Sequence, residues 1–342
     1  MSPGAVESST STPAPTPAPA RAGGAAGSSR PLDARALTRH AQRLAAQPVA
    51  PWLHAEVARR MAERLAILKR APERVVDWGA EFGASEGALR QACPRAERRA
   101  VAVWAGPSVQ PQPSADPLPW WSARRWWPAG QGVASPTHES ELAAGAADLL
   151  WSNMVLHHLP DPGAAFARWL RLLAVDGILM FSTLGPGSLA SLRRLYATRG
   201  WPSPHAPFVD MHDLGDMLVR AGFADPVMDQ EVLHLTWGSP HEALVELRQL
   251  GGNADLGRHR GLRTARWRRQ LEQALMSTGA QAGTPSGADG RVELEFEVVY
   301  GHAVRPAPRV ALAAETSLPL DDLRGMLRRR GAGPGGSRAP TR

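Results

Sequence analysis

Apolar residues follow two different periods along this chain. Helical spacing begins near Ala34 and is strong in the run PWLHAEVARRMAERLAILKRAP, where apolar side chains recur every three or four positions. The members of this apolar stripe are Leu53, Val57, Met61, Leu65 and Leu68. Pro72 cannot continue a helix, so the pattern predicts a helix that ends before it.

After Pro72, short apolar runs alternate with helical segments. In chain order the runs are RVVDWG, EGALRQACP, RAVAVW, ADLLWSNMVL, AAFARWLRLLA, DGILMFSTL, SLASLRRLYATRG, DLGDMLVRAGF, DPVMDQEVLHLTW, EALVELRQLGG, RWRRQLEQALMS and RVELEFEVVYGHAV. Strands that alternate with helices predict a layered α/β domain with a mainly parallel sheet.

Three segments depart from this alternation. Residues 1–30 consist of Pro, Ala, Ser and Gly with almost nothing to bury, and we expect a disordered tail. Residues 311–342 form a C-terminal extension, and its last part, 331–342, has the same composition and the same expectation. Residues 106–145 are rich in proline and tryptophan, which predicts an irregular insertion.

The basic balance of the chain has two interpretations. The 342 residues include 39 basic and 32 acidic side chains, for a formal charge of +7, and Lys69 is the only lysine. Heavy use of arginine indicates either genome composition with a solvated surface, or an acidic partner such as nucleic acid, a carrier protein or a membrane surface.

Composition also indicates the cellular location that we expect for the protein. No run of about 18 apolar residues is present, so we expect no membrane span. The chain does not start with a basic patch followed by an apolar segment, which indicates no secretory signal. Cys93 is the single cysteine, which excludes an internal disulfide framework and fits a reducing compartment. The expected location is the cytoplasm.

The stretch RVVDWGAEFGASEG, residues 74–87, is the strongest candidate for chemistry. A strand that leads through a glycine turn into a helix directs backbone N–H groups and the helix N-terminus toward a ligand. Asp77, Gly79 and Gly83 are therefore candidate cofactor residues. No G-K-[ST] follows, which excludes a P-loop, and the NAD-type GxGxxG is absent. The alternative is a glycine turn that only connects two elements.

Other chemistry-bearing residues carry weaker signals. His157 and His158 are adjacent and have no acid or cysteine at ligand spacing, which argues against a metal site and leaves a surface loop or the lining of an acceptor pocket. Asp210 and Asp213 have the spacing of a helix N-cap and its partner three residues later. Four tryptophans in 120–127 beside two arginines suggest base stacking, but packing of the insertion is the favoured interpretation, and we expect no nucleic-acid partner.

Several longer segments resemble one enzyme family. ADLLWSNMVLHHLPDPGAAFARWLRLLAVDGILMFSTLGPGSLASLR resembles the second half of a class I S-adenosylmethionine-dependent methyltransferase. The segment HAPFVDMHDLGDMLVRAGFADPVMDQEVLHLTW, with the later ELRQLGGNA, GLRTARWRRQLE and FEVVYGHAVRPAPR, resembles the malonyl-acyl-carrier-protein O-methyltransferase family of biotin synthesis. The resemblance covers residues 37–309.

The resemblance implies a fold and a reaction. The fold is the class I (Rossmann-like) methyltransferase domain over residues 31–310, with a mainly parallel sheet, flanking helices and an antiparallel C-terminal strand. The reaction is O-methylation of the free carboxylate of a malonyl thioester on acyl carrier protein, with S-adenosylmethionine as cofactor. A carboxylate is already nucleophilic at neutral pH, so no catalytic base is expected.

The resemblance also assigns site residues. Asp77, Gly79, Gly83 and Asn153 match cofactor positions, and His157 is placed in the acceptor pocket. A cation is needed to hold the malonyl carboxylate or the carrier's phosphopantetheine. Arg248 is our choice among several arginines, and the others are Arg193, Arg194 and those in 263–269.

Three positions depart from the family pattern and keep a second interpretation open: Glu81, Trp104 and an acid expected after the third strand, for which Glu139 and Glu141 are the candidates. Glu81 replaces the central glycine of the loop, and Trp104 stands where an acid normally binds the ribose hydroxyls. Glu81 either repels the cofactor's carboxylate or binds its ammonium group, and Trp104 would stack on adenine. The alternatives are a catalytically silent binding or assembly module with this fold, or a methyltransferase for another small acceptor.

Overall fold

One seven-stranded sheet organises the part of the chain that the computed structural model describes, namely residues 30–45, 47, 50–67, 70–82, 84–103, 137–281 and 291–308. The strands are β1 (Arg74–Trp78), β2 (Glu97–Ala102), β3 (Thr137–His138), β4 (Ala147–Ser152), β5 (Leu173–Leu184), β6 (Ala224–Trp237) and β7 (Val292–Val304). Their order is β3-β2-β1-β4-β5-β7-β6. Neighbours from β3 to β5 are parallel, and β7 lies antiparallel between β5 and β6. The predicted class I sheet with an antiparallel C-terminal strand is confirmed.

Helices cover both faces of this sheet. They are α1 (Ala34–Ala45), α2 (Trp52–Arg64), α3 (Ser85–Ala92), α4 (Pro162–Leu172), α5 (Ala190–Thr198), α6 (Met211–Ala221), α7 (Pro240–Gln249) and α8 (Ala265–Gln281). Successive strand residues point to opposite faces, so Val76 and Leu150 pack with α4 and α6 while Val75 and Leu149 pack with α2, α3 and α8. Crossover helices of this kind are what allow parallel strands to be neighbours.

Local sequence signals set several helix ends. Asp210, the predicted N-cap, begins α6 because its carboxylate accepts a hydrogen bond from the His212 backbone N–H at 2.8 Å. Gly222 ends the same helix with φ of 100°, a left-handed conformation that glycine adopts without strain. Asp176 lies within β5 at a register shift against β4, and its φ of 63° is left-handed.

The structure differs from the sequence expectation at two elements. α2 ends at Arg64 and continues as a single 3-10 turn, Leu65–Ile67, because the last carbonyl groups of a helix lack partners and often tighten. β3 and the 3-10 turn Glu139–Glu141 lie within 106–145, where an irregular insertion was expected. Two residues cannot display a period, so no sequence pattern announces this strand.

Other expectations fall on residues outside those described. These are the tail up to residue 29, residues 104–136 with the four tryptophans, and the extension 311–342. The chain divides into two units, Met1–Pro306 and Ala307–Arg342, and only Ala307 and Pro308 of the second unit are described. The proposed domain limits 31–310 stay a prediction. No described helix is both long and apolar enough to cross a membrane.

Candidate cofactor and acceptor site

The loop after β1 has the conformation that its glycine pattern predicts. Gly79 adopts φ of 87°, and a Cβ atom placed there would lie 2.5 Å from Cγ2 of Val155. Its N–H donates to the Val101 carbonyl at 2.8 Å, so the loop begins against the end of β2. A side chain at Gly79 would clash with Val155, so the close packing of the loop against Val155 and the positive φ both require glycine here. Gly83 lies outside the described residues.

Asp77, near the end of β1, is a buried carboxyl group. Burial is the main cause that raises the pKa of Asp77 to about 8, and the negative charges of Glu81 and Glu86 act in the same direction. A hydrogen bond with the Ser85 hydroxyl acts in the opposite direction and lowers this pKa. Ser85 is fixed in turn, because Trp151 Nε1 donates to its Oγ at 3.1 Å. A positive charge beside Asp77 would lower this pKa and favour the carboxylate, so the position suits a cationic ligand.

Glu81 is tied to the protein. It lies in the 3-10 turn Ala80–Phe82, and its Oε1 accepts a hydrogen bond from the Val103 backbone N–H at 2.6 Å. This bond joins the glycine loop to the residue that follows β2, where the chain leads to Trp104. Trp104 itself lies outside the described residues. The carboxylate that replaces glycine therefore has a structural partner that no local pattern indicated.

Asn153 directly follows β4, and both polar atoms of its side-chain amide make hydrogen bonds. Its Nδ2 donates to the His54 carbonyl of α2 at 2.9 Å, and its Oδ1 accepts from the Ser182 hydroxyl of β5 at 2.8 Å. The Met154 N–H donates to the same hydroxyl at 3.0 Å. Asn153 thus joins β4, β5 and α2 at the carboxyl end of the sheet, and its role toward the cofactor stays a prediction.

His157 and His158 lie in the 3-10 turn after β4, with their ring centroids 4.1 Å apart. Burial is the main cause that lowers both pKa values: that of His157 falls well below its usual range and that of His158 to about 3. Both rings are therefore neutral at pH 7. The His158 ring stacks on Phe82 of the glycine loop at 5.2 Å, so this turn contacts the candidate cofactor loop.

An apolar cavity of about 340 Å³ opens beside this turn. His157 and Arg248, predicted from distant parts of the sequence to serve the acceptor, both line it. Leucines form most of the wall, and Tyr196, Phe208 and Trp267 add an aromatic side. Sequence reasoning did not predict this aromatic wall, because its members come from three separate segments. The cavity has the size and lining of a small-molecule site.

A segment before α1 closes one side of the site. The Arg30 guanidinium donates to the carbonyls of His157 at 2.8 Å, Leu159 at 2.6 Å and Pro207 at 3.0 Å. Burial lowers the pKa of Arg30 to about 10. Leu32, two residues later, lines the cavity. Arg30 was the last residue of the predicted tail, and only contacts with distant carbonyl groups reveal that it is held.

The described residues contain no group of three or more His, Cys, Asp or Glu side chains suited to a metal ion. The adjacent histidines are packed against Phe82 and Phe208.

Comparison with known proteins identifies the family. Residues 51–225 match the family model described as "Methyltransferase domain". Three proteins named malonyl-[acyl-carrier protein] O-methyltransferase are similar over most of their length. The one from Laribacter hongkongensis is 39% identical over 258 residues, which cover 75% of this chain and 84% of that protein. The one from Gallionella capsiferriformans is 37% identical over 260 residues, with coverage of 75% and 86%. The one from Methylovorus sp. is 34% identical over 264 residues, with coverage of 77% and 86%. The glycine loop, the α/β sheet and these similarities together show that the chain belongs to the malonyl-[acyl-carrier protein] O-methyltransferase family.

Proposed function

We propose that this protein methylates the free carboxylate of a malonyl thioester carried by acyl carrier protein, with S-adenosylmethionine as the methyl donor, in an early step of biotin synthesis. The observation that carries the proposal is the contact between Phe82 of the glycine loop and His158 beside the apolar cavity. This contact links the glycine loop to the cavity, which supports a transfer between two molecules bound side by side.

The residues around the loop fit S-adenosylmethionine. Gly79 gives the loop the left-handed turn, with φ of 87°, that the glycine pattern of a cofactor loop requires. Asp77 is a buried carboxyl group that gains stability as a carboxylate when a cationic ammonium group lies beside it. Gly83, Asn153 and Trp104 complete the proposed set. When bound, the cofactor supplies an electrophilic methyl group on a sulfonium sulfur.

The acceptor side needs orientation more than proton transfer. A malonyl carboxylate is ionised at neutral pH and needs no base. His157 is neutral because burial lowers its pKa, so its ring can donate one hydrogen bond without adding charge beside a sulfonium. Arg248 adds a cation at the same cavity. The protein thus contributes by holding the acceptor in line with the methyl group.

The proposed partner is malonyl-loaded acyl carrier protein, and the proposed location is the cytoplasm. Similarity to three proteins whose names include the acyl carrier protein supports the partner. The single cysteine, Cys93, is buried as a free thiol, which supports a reducing compartment.

Methyl transfer from labelled S-adenosylmethionine to malonyl-acyl carrier protein tests the proposal. We expect one methyl group on the malonyl carrier and none on acetyl-acyl carrier protein, which lacks the free carboxylate. If no methyl transfer is seen, a calorimetric titration with S-adenosylhomocysteine distinguishes the two possible reasons. Binding without transfer would indicate another small acceptor, and the absence of binding would leave a binding or assembly module.

A further inference from the structure

Three arginines line the cavity beside His157, and two of them, Arg248 and Arg263, come from separate segments and have no carboxylate partner among the described residues. Arg248 lies in the last turn of α7, and Arg263 lies in the segment before α8. Arg248 is exposed, Arg263 is half-buried and His158 is buried, so the arginine side of the cavity is its open end and the His158 side its inner end. Arg248 also lines a neighbouring cavity of about 600 Å³, which places it between the two spaces.

Neither of these guanidinium groups pairs with a carboxylate in the described part of the chain. Arg268, which lines the same cavity, shows the contrast, since its Nε lies 2.9 Å from Glu272 Oε1. Arg263 lies over the Trp267 ring, 4.3 Å from its centroid, a contact that holds the cation without neutralising it. The Trp267 Nε1 is buried with no hydrogen-bond partner among the described residues.

Cations at the mouth of an apolar cavity indicate an anionic ligand group there. The malonyl carboxylate cannot be that group, because it must reach the methyl donor at the inner end beside His157 and the glycine loop. A ligand with a second anion at a distance from its carboxylate fits both ends. Arginine suits a phosphate because its planar fork donates two parallel hydrogen bonds.

We propose that Arg248 and Arg263 bind the phosphate of the carrier's phosphopantetheine arm, while the arm runs along the leucine-lined cavity to His157. This inference rests on the proposed function and specifies how its substrate is held. A slender chain suits a cavity of about 340 Å³. The shared chemistry is a phosphate ester, which coenzyme A also carries on the same arm.

Acceptors that differ by the phosphate alone test the assignment. Full-length protein is assayed with malonyl-pantetheine and with malonyl-4′-phosphopantetheine. Wild type should show a kcat/KM that is roughly ten- to a hundredfold higher for the phosphorylated acceptor, as expected for loss of one charged hydrogen bond. Arg248→Gln and Arg263→Gln should each reduce this preference, because kcat/KM should fall more for the phosphorylated acceptor than for malonyl-pantetheine.

Arg220→Gln, an exposed arginine of α6 that does not line the cavity, is the matched control and should keep the full preference. Equal use of both acceptors by wild type would overturn the phosphate assignment while the methyltransferase proposal stands. Methylation of neither small acceptor nor of the malonyl carrier would overturn the proposed function and this inference with it. A marked preference for malonyl-coenzyme A over malonyl-phosphopantetheine would show that nucleotide phosphates are bound, and would overturn the assignment to the carrier's arm.

Discussion

At the scale of single residues, two carboxyl groups define the cofactor loop. Glu81 replaces a glycine, yet its Oε1 accepts a hydrogen bond from Val103 N–H at 2.6 Å and joins the loop to the end of β2. The same charge helps to raise the pKa of Asp77 to about 8, after the larger effect of burial. The substitution therefore changes both the mechanical support of the loop and its electrostatics.

Two variants of Glu81 separate these effects. Glu81→Gln removes the charge and keeps an oxygen acceptor, whereas Glu81→Ala leaves the Val103 N–H without this partner. We expect the alanine variant to lose about 1–3 kcal/mol of unfolding free energy and the glutamine variant clearly less. Urea unfolding at pH 7 measures both. An equal loss in the two variants would show that the charge, and not the bond to Val103, supports the loop.

Asp77→Asn isolates the titration of the buried carboxyl group. The folded-state pKa of about 8 lies above the unfolded value near 3.8, so the folded protein binds the extra proton between these limits. The contribution of Asp77 to the unfolding free energy of the wild type therefore falls as pH rises from about 4 to 8. The fall is up to about 1.4 kcal/mol per pH unit. The stability of the variant minus that of wild type should rise with pH over this window. Asp216→Asn, an exposed change on α6, should show no such trend.

At the scale of elements, the segment before α1 connects distant parts of the site. Arg30 binds the carbonyls of the turn that carries His157, while Asp33 pairs with Arg258 at 2.7 Å. Asp33 also caps α1, since its carboxylate accepts from the Ala36 N–H at 3.0 Å. α1 thus depends on a partner more than two hundred residues away in sequence.

Arg258→Gln should loosen α1 without removing its cap. The ion pair to Asp33 is lost, while Asp33 still accepts from Ala36. We expect faster amide hydrogen exchange in Ala34–Ala45 and unchanged exchange in α3, Ser85–Ala92, whose Leu89 belongs to the other core cluster. Unchanged exchange in α1 would show that the ion pair does not hold this helix.

At the scale of the whole molecule, buried histidines lie where α1, α2 and the turn after β4 meet. Burial is the largest cause that lowers the pKa of His40 and His54 to about 4 and that of His158 to about 3. His54 Nδ1–H donates to the Phe82 carbonyl at 3.3 Å, and Phe82 stacks on His158. The site is therefore built around neutral rings.

This arrangement predicts sensitivity to acid. The unfolded chain binds protons at these histidines below about pH 6.5, whereas the folded chain does not until pH is near 4 or lower. Stability is thus present above pH 6.5 and is lost as pH falls, by about 1.4 kcal/mol per pH unit for each histidine. Urea unfolding at pH 5, 6 and 7 should show the sum of these histidine slopes, offset in part by the opposite slope of Asp77, and the slope should be smaller by about one proton in His54→Gln. The exposed His259→Gln serves as control, and an equal slope in His54→Gln and wild type would contradict the prediction.

Local chemistry in the sequence determined much of the fold. The alternation of strand and helix runs predicted the α/β layers, since periodicity reflects which faces are buried. The glycine loop at Gly79 and the helix N-cap at Asp210 could also be predicted, because each residue type meets a local requirement of its turn or helix end. Family resemblance then pointed to His157 and Arg248, which line one cavity.

Only the tertiary structure decided which distant groups meet. The partner of Glu81 is 22 residues away, and Arg30 binds carbonyls 127 and 129 residues away. β3 is held by pairing with β2 and carries no period of its own. Such contacts form when the packing of helices on the sheet brings distant loop residues together. Residue type and spacing within one segment do not determine that packing. The sequence therefore determined the elements and the glycine loop, while packing determined the supports of that loop and the lining of the cavity beside it.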